Sequence, residues 1–122
     1  MYDKALAREI LDQIHRAAQI VLTRSQKINA AEDFLKDESG LEKLDAVCMK
    51  LIAIGEGLKN FDRVTEKIFL VNDNAVDWKK AMGMRDIITH HYFDLDAEVV
   101  FSVCKNQLKP LAEAILKLRK SL

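Results

Sequence analysis

The chain is poor in the residues that interrupt helices: its 122 residues include one proline and four glycines. A β-sandwich or barrel needs turn residues at regular short intervals, and this sequence does not supply them. Aromatic residues make up 7%, and neither charge sign dominates: nineteen Lys and Arg balance nineteen Asp and Glu. A net charge of zero removes the global field that would draw the protein to nucleic acid or an anionic membrane, so any RNA contact must be local. No apolar run approaches the roughly 20 residues of a membrane span. The charged opening MYDKALAREI has the form of neither a signal nor a transit peptide. Cysteine is scarce too. Cys48 and Cys104 lie inside apolar helical patterns without a Cys-x-x-Cys spacing, which predicts free core thiols in a reducing cytoplasm.

What is present is 49% hydrophobic residues, enough for one buried core, with Ala, Leu, Ile, Lys and Glu recurring at spacings of three and four. These features predict a single all-α domain over 1–122: an up-and-down bundle of about four main helices plus one or two short ones. Asp3 is the expected N-cap of a first helix to about Arg24, with Leu6, Ile10, Ile14, Ala17 and Val21 as its stripe. His15 lies beside that stripe as a half-buried surface residue. Asn29 with Glu32, and Ser39 with Glu42, have capping-box spacing. The first box would open a short helix through Phe34, the second a long one from about Leu41 to Lys59. Another helix is expected from Asp62 or Thr65 through Leu70, and Asp77 caps the next. The last runs from Asp94 or Asp96 to Leu122, with a kink near Leu108 to Pro110 because proline has no N–H and clashes with the preceding turn.

The long helix has Gly55 on its apolar stripe, where a missing side chain admits a close neighbour. Met49 and Ile52 form a second apolar strip edged by Glu56. Two apolar faces fit two partners: either the second is another copy of the protein, or the helix is central in a monomer.

Arg85, Asp86, Thr89, His90, His91 and Tyr92 crowd into the stretch after Trp78. On a continuous helix Arg85 falls at the centre of an apolar stripe with Trp78, Ala81, Met82, Ile88, Thr89 and Tyr92. A guanidinium there either pairs with Glu56 or Asp86 or is directed into a cleft, since an unpaired buried charge is costly. His90, five residues on, is about 140° round the helix from Arg85. A site using both therefore requires the helix to end near His90, or a symmetric interface. Arginine grips phosphate bidentately and histidine moves protons near neutral pH, a set suited to phosphodiesters. With RNA's own 2'-hydroxyl as nucleophile no metal or other cofactor is required, and the products are a 2',3'-cyclic phosphate and a 5'-hydroxyl. A metal site through His90, His91 and Asp94 is disfavoured, because adjacent histidines diverge on a helix and no HExxH spacing occurs.

The run RDIITHHY over residues 85–92 resembles the R-x4-H-x-Y motif of HEPN-domain proteins of the HepT-like group. Ala46-Val47, Ile54-Gly55-Glu56, Trp78 and the following YFDLD fit the same pattern, so the resemblance covers nearly the whole chain. It implies a small helical homodimer with the motifs facing a shared cleft. Such a protein is the toxin partner of an MNT-type nucleotidyltransferase antitoxin, with Arg85 and His90 as the RNase site and Tyr92 as the tyrosine the partner modifies with AMP. Glu56, Asp86 and Thr89 are the supporting residues. The family motif often has Asn after the arginine; Asp86 stands here, an acid able to pair with Arg85 or orient it. Two further classes remain: a non-catalytic nucleotide- or substrate-binding subunit of the nucleotidyltransferase, and a purely structural bundle.

Overall fold

The computed structural model describes residues 2–91 and 94–122, with His90 and His91 described by their backbone alone. The chain folds as an all-α bundle. Helix α1 (Lys4–Arg24) is capped by the Asp3 carboxylate, which accepts from Leu6 N at 3.0 Å. Its apolar stripe lies against α3 (Glu38–Val64) and α7 (Leu108–Lys120). Short α2 (Glu32–Leu35) buries Phe34 against α3, while α4 (Trp78–Met82) and α5 (Met84–Ile88) lie along another side of α3. A small antiparallel ribbon follows, β1 (Thr89–His91) with β2 (Asp94–Leu95), in the register Thr89 to Leu95 and His91 to Asp94. Helix α6 (Ala97–Ser102), capped by Asp96, then leads through a π-helical turn into α7. One core joins these elements: Leu11, Val47, Leu51, Ile54, Phe61, Ile88, Val100, Leu108 and Ile115 are all fully buried within it.

Local chemistry moved several boundaries. Asn29 does not cap α2; the Asp33 carboxylate reaches back to accept from Asn29 N at 2.8 Å and Ala30 N at 3.3 Å. Nor does Ser39 open α3. Asp37 stands two residues ahead of it and accepts from Gly40 N at 2.7 Å, so the helix starts at Glu38. No helix begins at Asp62 or Thr65. Helix α3 continues to Val64, the Thr65 hydroxyl donates to Phe61 O at 2.8 Å, and Glu66 and Lys67 end the helix at left-handed φ values of 59° and 60°. The expected kink occurs as the π turn Val103–Gln107, with Leu108 N donating to Val103 O. That wider turn leaves Pro110 in the first turn of α7, where a missing N–H costs no bond.

Candidate functional site

Gly55 sets the position of the motif. A Cβ there would stand 3.0 Å from Ala81 O and 3.0 Å from Met84 Cβ, so the α4–α5 segment approaches α3 so closely that any larger residue would push against it. Asp77 caps α4 by accepting from Lys80 N at 3.0 Å, and the buried Trp78 indole donates to Asp73 Oδ2 at 2.6 Å. Both contacts fix the N-terminal end of the short helix.

Gly83 divides the expected single motif helix and re-phases it. The buried residues are Trp78, Ala81, Met84 and Ile88. Arg85 therefore does not lie in the apolar stripe that a continuous helix predicts; its side chain is 61% exposed on the flank of α3. There Arg85 Nη2 is 3.8 Å from Glu56 Oε1, while Glu56 Oε2 meets Lys59 Nζ at 3.0 Å. One carboxylate thus serves two cations. Lys59 was not singled out in the sequence; its signal was its position one turn beyond Glu56. Among the described residues Asp86, which is exposed, makes no ion pair with Arg85.

The helix ends at Ile88, one of the two arrangements under which a site could use both Arg85 and His90, the other being a symmetric interface. Thr89 takes extended geometry (φ −125°, ψ 123°), and its hydroxyl donates to Arg85 O at 2.5 Å. Thr89 therefore secures the last helical turn beneath Arg85. Asp96 N donates to Ile88 O at 2.8 Å and closes the ribbon from the other side. His90 belongs to β1, so the 140° helical separation from Arg85 does not apply. The His90 and His91 side chains and the whole of Tyr92 lie outside the described residues. Among the described residues no group of three His, Cys, Asp or Glu converges in metal-binding geometry. Nor, among the described residues, is any helix long and apolar enough to cross a membrane.

The exposed charges at Arg85 form a loose site. An ion pair at 3.8 Å between half-exposed groups contributes about 0–1 kcal/mol, so an arriving phosphate can displace Glu56 from the guanidinium. A separate groove of about 310 Å³, lined by residues including Lys80, Met84, Val103, Pro110 and Leu111, contains none of Glu56, Lys59 or Arg85.

The sequence model of the family described as Ribonuclease HepT-like matches residues 9–118. Among named relatives, a probable ribonuclease HepT of Thermococcus cleftensis is 28% identical over 113 residues, 93% of this chain and 96% of that one. A candidate RNase of Caldanaerobacter subterraneus is 28% identical over 108 residues, covering 88% of this chain and 89% of its own. A Methanocaldococcus jannaschii protein named as a gamma-glutamylcyclotransferase and candidate RNase is 29% identical over 103 residues. That match takes in 80% of this chain but only 45% of the relative. No solved structure matches the chain at a significant level.

Proposed function

Since the chain belongs to the HepT-like ribonuclease family, we propose that it is a metal-independent endoribonuclease whose centre is Arg85 and His90. In this reading it is a cytoplasmic toxin, homodimeric, held in check by an MNT-type nucleotidyltransferase. The observation that carries the proposal is the exposed Arg85 guanidinium on a helix that stops at Ile88, three residues beyond it. Arg85 binds the scissile phosphate and stabilises the charge that grows on it. His90 moves the proton. The RNA 2'-oxygen bonds to phosphorus, the P–O5' bond breaks, and the proton lost from the 2'-hydroxyl is balanced by one delivered to the 5'-oxygen. Tyr92 accepts AMP from ATP through its phenolic oxygen with release of pyrophosphate, and the anionic adduct then fills the phosphate site by charge and size.

One observation favours a second reading. Glu56 neighbours Arg85, and a carboxylate at the guanidinium weakens its grip on a scissile phosphate, which favours a non-catalytic substrate- or nucleotide-binding subunit of the nucleotidyltransferase. The two part in an RNA-cleavage assay with purified, unmodified protein in EDTA. The RNase reading expects cyclic-phosphate ends, with a loss of about 10²–10⁴-fold on His90→Ala and about 10²–10³-fold on Arg85→Ala. A folded wild type that cleaves none of a varied set of RNAs would favour the binding subunit.

A further inference from the structure

The groove between α4 and the π turn combines an apolar floor with a polar rim. Met84, Val103, Leu108 and Leu111 are buried along it, whereas Asp77, Lys80, Asn106 and Gln107 line it as exposed residues. Its volume of about 310 Å³ lies at the small end of ligand pockets, which run from roughly 300 to 1,000 Å³. One wall is the π turn itself, an irregularity that recurs at functional sites.

The rim is chemically mixed. Asp77 accepts from Lys80 N through Oδ1 at 3.0 Å, which leaves its Oδ2 edge for a ligand donor. Lys80 supplies an ammonium, and Asn106 and Gln107 add two carboxamides that each donate and accept. A phosphate does not match this set, because the carboxylate repels it; a plain hydrocarbon would leave the rim unpaired.

We propose that the groove is a base-recognition subsite and that its occupant is a guanine of the RNA strand whose scissile phosphate lies at Arg85. Guanine presents two adjacent donors, N1–H and N2–H, to the Asp77 carboxylate, and two acceptors, O6 and N7, to Lys80. Adenine and uracil each offer the carboxylate one donor where guanine offers two. The flat ring lies against Met84, whose thioether favours aromatic contacts. Single-stranded RNA suits such a subsite, since its unstacked bases can be splayed out and read on their edges.

The place of the groove on the substrate rests on the proposed RNase reading. Met84 lines the groove and the next residue carries the guanidinium. Consecutive Cα atoms are about 3.8 Å apart, so a strand held at Arg85 brings an adjoining base within reach of the groove.

Isotope-labelled, unmodified protein titrated with GMP, AMP or UMP, and followed by NMR at the Asn106 and Gln107 side-chain amides, reads the groove without reference to cleavage. GMP is expected to shift both amides and to bind about tenfold or more tightly than AMP or UMP. Asp77→Asn keeps a competent helix cap but sets an amide against the guanine donors, and is expected to abolish that preference with an unchanged helical spectrum. Lys80→Ala is expected to weaken GMP binding by about tenfold. Millimolar GMP that leaves both amides unmoved, or equal affinity for the three nucleotides, would overturn the subsite, as would a guanine preference that survives Asp77→Asn. In RNA cleavage, cuts are expected beside guanosine, with that bias lost in Asp77→Asn. Unbiased cuts by a protein that binds GMP would overturn the place of the groove on the substrate. GMP binding by a protein that cleaves no RNA would leave the guanine site standing and remove only the nuclease.

Discussion

Arg85 reaches the flank of α3 because of Gly83, two residues earlier. The composition of the motif showed an arginine that needed either a partner or a cleft, and the break in the helix gave it a loosely held carboxylate and open solvent. Glu56 was legible as a partner candidate; Lys59 was not, since a charge on an exposed helix face looks the same whether it is solvated or paired. The cysteines were simpler to read. Both are buried, and burial pushes the Cys48 thiol up to about 12, with Asp45 and Cys104 adding to it, while Cys104 is also raised by burial. Neither is a competent thiolate near neutral pH. Both are expected to resist iodoacetamide in the native protein and to react on unfolding, as mass spectrometry of the intact chain would register. A raised thiol pKa stabilises the fold fully below the unfolded value of 9.0, and that contribution is lost as pH rises toward 12. The fall in melting temperature across this window should accordingly be smaller in Cys48→Ala than in the wild type. Equal slopes would mean that Cys48 does not titrate as its burial dictates.

Among the elements, α3 organises the site through Gly55. The residue was visible in the sequence as a glycine on an apolar stripe, and the structure brings the Ala81 carbonyl oxygen to 3.0 Å from where a Cβ would stand. Gly55→Ala gains about 1 kcal/mol of helix propensity but incurs roughly 1–3 kcal/mol of overpacking, because Ala81 O is backbone and cannot turn aside. A net loss of up to about 2 kcal/mol is expected in urea denaturation, together with a weakened RNA affinity as α5 is pushed off α3. A gain in stability equal to the propensity term would show that α4 yields easily. The limits of the other elements were harder to read. Asp33, Asp37 and Thr65 are all plausible cap residues, and which of them bonds a given N–H or C=O depends on how α2 and the end of α3 pack, information that local spacing does not hold.

At the scale of the molecule, α1, α3 and α7 share one core with the α4–α5 segment, so the site has no separate foundation. The single tryptophan, Trp78, sits buried on α4 and reports on that segment directly. Its fluorescence and the far-ultraviolet helical signal should melt together, as one cooperative unit requires. A tryptophan transition at clearly lower temperature would instead mark the motif as a region that opens ahead of the bundle.

The sequence by itself determined the helical class, the single core, the first helix with its Asp3 cap, the close approach at Gly55 and the family motif. These follow from periodicity, from composition and from residue types whose backbone behaviour is strongly restricted. Only the tertiary structure decided that the motif helix breaks at Gly83 and passes into a β-ribbon after Ile88, and that Arg85 stands exposed beside Glu56 and Lys59. The reason is that a helical projection assumes one continuous phase. A single break resets that phase, and the new one is chosen by packing against α3 rather than by the residues of the motif.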